Sequence, residues 1–516
     1  MSSSKLARSS IIVSIILAVG YLFSFAKESI IANYFGVSAD VDAYTIAITI
    51  PVILFSIVTV SIRSVIVPIY SDFFYNKTKE VADRFISNVL CCVSIIICIL
   101  IIILEFGAGY LTYLFAPGFD IATHDLSTFL LRITLPSILF TVINDILIGL
   151  LNVHKRFIAP SCAIFCLNLC LILTVILLHE HYGITAAALG YILGGGLSML
   201  YVVKIASKVY RFHFVFDFKD ALLRRTIKQT VPVVWSTSIA EINAVLNRMI
   251  ASFLFVGSIS VLGYANKINT IFISFFITAV ATIVYPLYAE SSAKKDMNQL
   301  SLRINFTLSL YTMLLIPIVL GVLCFRKELV SVAFARGAFD AVAVESTASL
   351  LGCYSLGLLF MSFRETLTKV FYSFQDMKTP AKNATIGVLL NIVLNITLPF
   401  IVGVEGLALG TSFTAMFISL RLLFLLKKKY NQVQLDYFQK NMIGILYSAF
   451  TMGVFIFSFL YFYDGTNSFI TLFLGLVIGA STYLVSLILF QVPVFKQAIQ
   501  MIFRKSSRDS VCTDGV

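Results

Sequence analysis

Long apolar runs separated by short polar clusters recur along the chain from residue 10 to residue 491. A helix needs about 20 predominantly apolar residues to cross the hydrocarbon core of a bilayer. By that measure the pattern predicts fourteen transmembrane helices, at 10–33, 42–70, 86–115, 127–151, 158–179, 183–203, 229–256, 261–287, 302–325, 346–374, 381–401, 404–426, 441–463 and 466–491. The connections are short, so no soluble domain is inserted. The first run follows Lys5 and Arg8, as a secretory signal would. It is too long for one, and no A-x-A-like cleavage site follows it, so it is read as a span.

Composition narrows the class. Of 516 residues, 59% are hydrophobic and 12% charged, against about 45–50% and about 25% in soluble globular chains. This excludes a soluble enzyme, a disordered chain and an ordinary nucleic-acid binder, and no nucleic-acid partner is expected. The net charge of +12 suits cytoplasmic loops that face anionic headgroups. One set of alternate loops holds 27 Lys and Arg; the other holds three, Arg326, Lys327 and Arg336. Basic residues stay on the cytoplasmic side, so both termini are expected there, which an even number of spans allows. Eight of the nine cysteines lie in apolar runs and none has metal-ligand spacing, so neither a disulfide framework nor a metal is expected.

The chain resembles itself at an offset of about 220 residues. Leu130-Leu131…Phe140 recurs as Leu350-Leu351…Phe360, and Phe119-Asp120 as Phe339-Asp340. Pro160 precedes Ala188-Leu189-Gly190 as Pro380 precedes Ala408-Leu409-Gly410. Lys27 stands before Gly36 as Arg248 stands before Gly257. The expected fold is an all-α polytopic membrane protein. Two lobes of six helices form a parallel repeat about an axis along the membrane normal, followed by two C-terminal helices. The boundaries are an N-lobe at 1–206, a basic interfacial cytoplasmic linker at 207–228, a C-lobe at 229–430, the last two helices within 431–495 and a cytoplasmic tail at 496–516. In the linker, Phe212, Phe214, Phe216 and Phe218 alternate with other residues, as in a short strand or an amphipathic stretch on the membrane surface.

Ionisable residues inside spans cost about 2.5–3.5 kcal/mol each on insertion scales and usually face a cavity. Here they are Lys27, Glu28, Asp42, Arg63, Arg132, Asp145, Glu241, Arg248, Lys267, Arg364, Glu365 and Lys369. Lys27 and Arg248 are repeat mates, as are Asp145 and Glu365. Mutual neutralisation is the plain reading: Lys27 with Asp42 across the first hairpin, and Glu241 with Arg248 along one helix. Yet cations outnumber acids, which suits an anionic ligand such as a diphosphate. Lys would serve as a point charge and Arg as a bidentate fork. Asp145, Glu241 and Glu365 are the candidates for a coupling ion. No catalytic constellation and no nucleotide-binding loop is present. A transporter rather than an enzyme is expected, with no cofactor, driven by the membrane potential or an ion gradient.

Several motifs resemble the MurJ/MviN family of lipid II flippases. They are Phe25-Ala26-Lys27-Glu28…Phe35-Gly36…Asp42-Ala43-Tyr44…Pro51…Val67-Pro68, Ala116-Pro117-Gly118-Phe119, and Leu151-Asn152…Arg156-Phe157…Pro160. Further matches are Asn247-Arg248-Met249-Ile250-Ala251-Ser252…Gly257-Ser258…Tyr264-Ala265-Asn266-Lys267 and Phe371-Tyr372-Ser373…Asp376…Lys378-Thr379-Pro380. The resemblance implies a two-lobed flippase of the wider MOP group in the bacterial cytoplasmic membrane. Its partners would be an undecaprenyl-diphosphate-linked glycan lipid and membrane lipids, and it would work as a monomer. The substrate-binding candidates are Lys27, Glu28, Asp42, Arg248 and Lys267, which the resemblance covers, with Arg63, one position out of register for the family's cation, and Arg364 from the charges inside the spans. Lys27 and Lys267 stand where the family usually has Arg, and Glu28 where it has Asp. The pattern departs at Tyr21, Phe55 and Val60, which leaves open lipid II or another cell-surface glycan precursor. The alternative is a MATE-like cation/drug antiporter, which predicts a cavity rich in acids and aromatics. A membrane glycosyltransferase would need a large outer loop, and every outer loop here is short.

Overall fold

The computed structural model describes residues 3–61, 66–156, 158–220, 241–431, 433–463, 465 and 467–500, and among them every regular element is helical. Eleven helices in the described residues are long and apolar enough to cross a membrane. They become twelve if Ile121–Thr134 and Ser137–Val153, bent by 42°, form one broken span. The bend falls at Pro136, which has no N–H to continue the helical ladder. Two of the fourteen expected spans are outside that number. Span 10–33 falls within the 33-residue helix Ser3–Phe35, and 229–256 starts outside the described residues and is helical over 241–252.

The chain divides into two compact units, Met1–Ser260 with Arg336–Asp340, and Val261–Ala335 with Ala341–Val516. The first contains α1 (Ser3–Phe35), α2 (Ala39–Ser61), α3 (Val67–Asn76), α4 (Lys79–Phe106), α5 (Ala108–Phe115), α6 (Ile121–Thr134), α7 (Ser137–Val153), α8 (Ile158–Tyr182), α9 (Thr185–Ala206) and α10 (241–252). Here α2 packs on α6 and α7, and α8 packs on α1 and α9. Helix α9 presents Gly190 and Gly194 to α8. A Cβ at either would come within 2.9 or 2.7 Å of the backbone of Leu171 or Leu167, so small residues set this close approach, as is usual between membrane helices.

Helix α11 (Ser258–Phe272) begins at the border and runs into the second unit through a π-helical turn, Ile273–Thr278. There follow α12 (Ala279–Ala293), α13 (Met297–Cys324), α14 (Arg326–Phe334), α15 (Ala341–Ser355), α16 (Leu358–Ser373), α17 (Lys378–Thr397), α18 (Pro399–Val402), α19 (Glu405–Lys429), α20 (Asp436–Phe462) and α21 (Ser468–Leu489). The repeat is visible within each unit. Helix α9 packs on α7 and α8 as α19 packs on α16 and α17. The turns repeat too: Gly36, Lys155 and Gly183 have positive φ, and so do Gly257, Gln375 and Gly403, about 220 residues on.

The motif around Asp376 has a structural role. Its carboxylate accepts from Lys429 Nζ (2.6 Å), the Thr379 hydroxyl (2.7 Å) and the Thr379 N–H (3.1 Å), tying the start of α17 to the end of α19. Burial favours the neutral acid, but the Lys429 and Thr379 bonds outweigh it and hold the pKa down to about 2. A carboxylate with a lowered folded pKa stabilises above its unfolded value, near 3.8, and loses that contribution as pH falls toward 2. The melting temperature of the native protein should therefore fall over this window by more than that of Asp376→Asn. Parallel acid profiles in detergent would contradict this account.

Candidate functional site

Six of the ten expected site residues lie in the first unit: Lys27, Glu28, Asp42, Asp145, Glu241 and Arg248. Lys267, Arg364 and Glu365 lie in the second, and Arg63 is outside the described residues. Lys27 and Glu28 are successive residues on α1. Lys27 Nζ is 2.9 Å from Glu28 Oε1, and the side chains are only 13% and 24% exposed. Lys27 thus pairs with its neighbour rather than with Asp42.

Asp42 is committed elsewhere. Its Oδ2 accepts from the Gly257 N–H (2.8 Å) and its Oδ1 from the Ser260 N–H (2.7 Å), and it is 2% exposed. The carboxylate therefore sits on the N-terminus of α11, where unpaired N–H groups and the helix dipole favour an anion. Both oxygens face backbone donors, so Asp42 builds the frame of the site.

Glu241, at the start of the described part of α10, accepts from Ser56 Oγ of α2 (2.8 Å). Ser56 also lines a cavity of 170 Å³ with Thr59, Ser137, Thr141, Tyr191 and Asp145. Asp145 is 8% exposed. Pro51, Val52, Phe55 and Ile138 complete the lining, and a space of this size with several polar groups can hold water. Arg248, half-buried on α10, donates from Nη1 to Ala244 O one turn back (3.0 Å). In the second unit Lys267 is half-buried on α11, Arg364 is exposed on α16, and Glu365 pairs with Lys369 at 3.4 Å. Within the first unit this leaves two partly buried cations, Lys27 and Arg248, with the Glu28 carboxylate beside Lys27.

Sequence reasoning missed two contacts between loops. The Ala338 N–H donates to Asn33 O (2.8 Å), and the Gly118 N–H donates to Ser252 Oγ (3.0 Å). Beside these bonds, a Cβ on Gly337 would lie 2.2 Å from Asn33 O and one on Gly118 2.4 Å from Ser252 O. Gly118 and Ala338, the two donors, are repeat mates, whereas Asn33 and Ser252 lie two positions out of the register that Lys27 and Arg248 set. The repeat register was an available signal for the donors alone. In the expected topology these loops are all on the outer side. Gly337→Ala, which also forces a side chain onto φ +55°, should unseat 336–340. A disulfide between Asn33→Cys and Ala338→Cys should form in the parent and be lost in the Gly337→Ala background. Undiminished cross-linking would show that the close approach is dispensable.

A family model described as "Lipid II flippase MurJ" matches residues 31–478. The chain is 26% identical over 436 residues to the probable lipid II flippase MurJ of Rickettsia prowazekii, covering 84% of this chain and 85% of that one. Among solved structures, a lipid II flippase MurJ in an inward closed conformation superposes with TM-score 0.80 at 27% identity, covering 93% of this chain and 99% of the other. An inward-facing multidrug resistance MATE family transporter of the MOP superfamily superposes with TM-score 0.66 at 15% identity, over 80% of this chain and 95% of the other.

Proposed function

We propose that this chain, which belongs to the lipid II flippase MurJ family, moves lipid II from the inner to the outer leaflet of the bacterial cytoplasmic membrane. The observation that carries this is the family match over residues 31–478, which takes in every expected site residue but Lys27 and Glu28. The geometry supports it: Lys27 and Arg248, related by the repeat, are both held partly buried in the first unit. In this reading they receive the diphosphate with Lys267, Arg364 and Arg63, and the lobes alternate between two openings. Glu28 tunes Lys27, and Asp42 holds the frame. The likeness to a MATE transporter supports a shared fold alone.

The test is a flipping assay with purified protein in liposomes, offering lipid II beside an unrelated undecaprenyl-diphosphate-linked glycan. Lipid II should move and the other glycan should lag. The reverse preference would reassign the substrate to another surface polysaccharide.

The driving force follows from charge. Moving one charge through the membrane potential is worth about 2.3 kcal/mol per 100 mV. An empty cationic carrier is pulled toward the negative cytoplasm, and a bound diphosphate neutralises it for the outward turn. Collapsing the potential at clamped pH should therefore slow flipping. Dependence on sodium alone would move the coupling to Asp145, Glu241 or Glu365. The chain acts as a monomer with both termini cytoplasmic. Reporter fusions at Asn76 and Gly465 should accordingly report opposite sides, and the same side for both would break the topology.

A further inference from the structure

The segment 207–220 leaves the end of α9 and is pinned to α4. Tyr210 and Ser87 share a hydroxyl–hydroxyl bond of 2.6 Å, and Ser87 Oγ also accepts from the His213 N–H (3.1 Å). Asp83 accepts from the Arg211 N–H (3.2 Å). Asn88 both accepts from the Asp217 N–H (2.8 Å) and donates to Asp217 O (3.0 Å). Asp83, Ser87 and Asn88 are all buried. A passive tether has no need of three buried polar side chains spent on its backbone.

This latch makes the segment one wall of a groove of 450 Å³, lined by Leu90 and Ile95 of α4, Ile143 and Leu147 of α7, and Phe212 and Phe214 of the segment, among others. Phe212 is 57% and Phe214 84% exposed. Lys204, Lys208 and Arg211 beside them are also exposed. The neighbouring acids each accept a hydrogen bond from the latch. Asp83 holds the Arg211 N–H, Asp217 the Lys219 N–H (2.8 Å), and Asp220 the Asn88 amide (3.4 Å). The groove is apolar with an aromatic rim, and the exposed Lys208 and Arg211 are chain neighbours of its lining residues Ser207, Tyr210 and Phe212.

We infer that this groove binds an anionic phospholipid of the surrounding membrane, with an acyl chain along the apolar walls and the phosphate at Lys208 and Arg211. Aromatic rings sit well at the headgroup boundary, and basic residues near the surface attract anionic lipid. A zwitterionic lipid could fill the groove but would gain little from the cations. The inference is independent of what the protein transports.

The test uses the full chain in nanodiscs. Trp235, the single tryptophan, is replaced by phenylalanine, Phe214→Trp supplies the reporter, and brominated lipids are the quenchers. Brominated phosphatidylglycerol should quench at a lower mole fraction than brominated phosphatidylcholine. Lys208→Gln and Arg211→Gln should each cut that preference about fivefold, while Lys382→Gln, in the first turns of α17, should leave it unchanged. Equal quenching by both lipids, or a preference that survives the double substitution, overturns the inference. Should the tryptophan variant fail to fold, native mass spectrometry of the unmodified chain reads the same quantity. Retention of phosphatidylglycerol over phosphatidylcholine, lost in the double variant, supports the site, and equal retention refutes it.

Discussion

Replacing Asp42 with alanine is expected to destabilise the protein by about 3–6 kcal/mol, since each of its two charge-assisted bonds contributes about 1.5–3 kcal/mol. Both bonds are made in a buried setting, to Gly257 and Ser260. Nothing else in that setting replaces a carboxylate that faces two backbone donors, and the substitution leaves both N–H groups buried. A loss of this size is a large part of the stability of an ordinary domain. The melting temperature in detergent should drop sharply, and the protein should run as aggregate on gel filtration. Asp42→Asn should lose less, because one oxygen can still accept while the amide nitrogen confronts the other donor. A direct substrate ligand would behave differently, with an unaltered melting temperature and lost transport. That pair of results would return Asp42 to the binding set.

Asp42 also shows how far the sequence could be read. Its position in the first turn of a span, with a family motif around it, marked it as important and could not say for what. The partners that define its role, Gly257 and Ser260, are more than 200 residues away and use backbone atoms, which carry no signature in side-chain identity. The same holds for the bond between Asn33 and Ala338 and for Ser56 on Glu241. Apolar run length, by contrast, is a local property set by bilayer thickness. The sequence therefore located the helices well, including the broken span at Pro136, which appeared as a single run. The repeat was legible because it preserves residues at turns. Gly36 and Gly257, and Gly183 and Gly403, keep both identity and positive φ, whereas Lys155 and Gln375 share the conformation with different residues and were invisible. The neutral pairings were misjudged in one respect. Lys27 found the adjacent Glu28, because successive residues on α1 can meet at a cost lower than bringing Asp42 away from its backbone donors.

That pairing sharpens what loss of a cation should do to transport. Arg248→Ala and Lys267→Ala should each lower the rate of lipid II flipping about ten- to a hundred-fold, the equivalent of one charge-assisted contact to the diphosphate. Both should leave the protein folded and inserted. Lys27→Ala should be worse than either. It removes a cation and also takes the positive charge away from Glu28, leaving a half-buried carboxylate where an anion must dock. Two like charges at such distances repel strongly when water is partly excluded. The double change Lys27→Ala with Glu28→Gln should therefore flip faster than Lys27→Ala alone, although slower than the parent. Lys27→Arg should keep function, as should Lys267→Arg, since a guanidinium supplies the same charge with a fork suited to phosphate. The measurement is initial flipping rate in liposomes at matched protein density. Parental rates in all three alanine variants would show that the diphosphate is held elsewhere. A double variant no faster than Lys27→Ala would show that Glu28 does not oppose the substrate, and that the pair on α1 acts only in holding the helix.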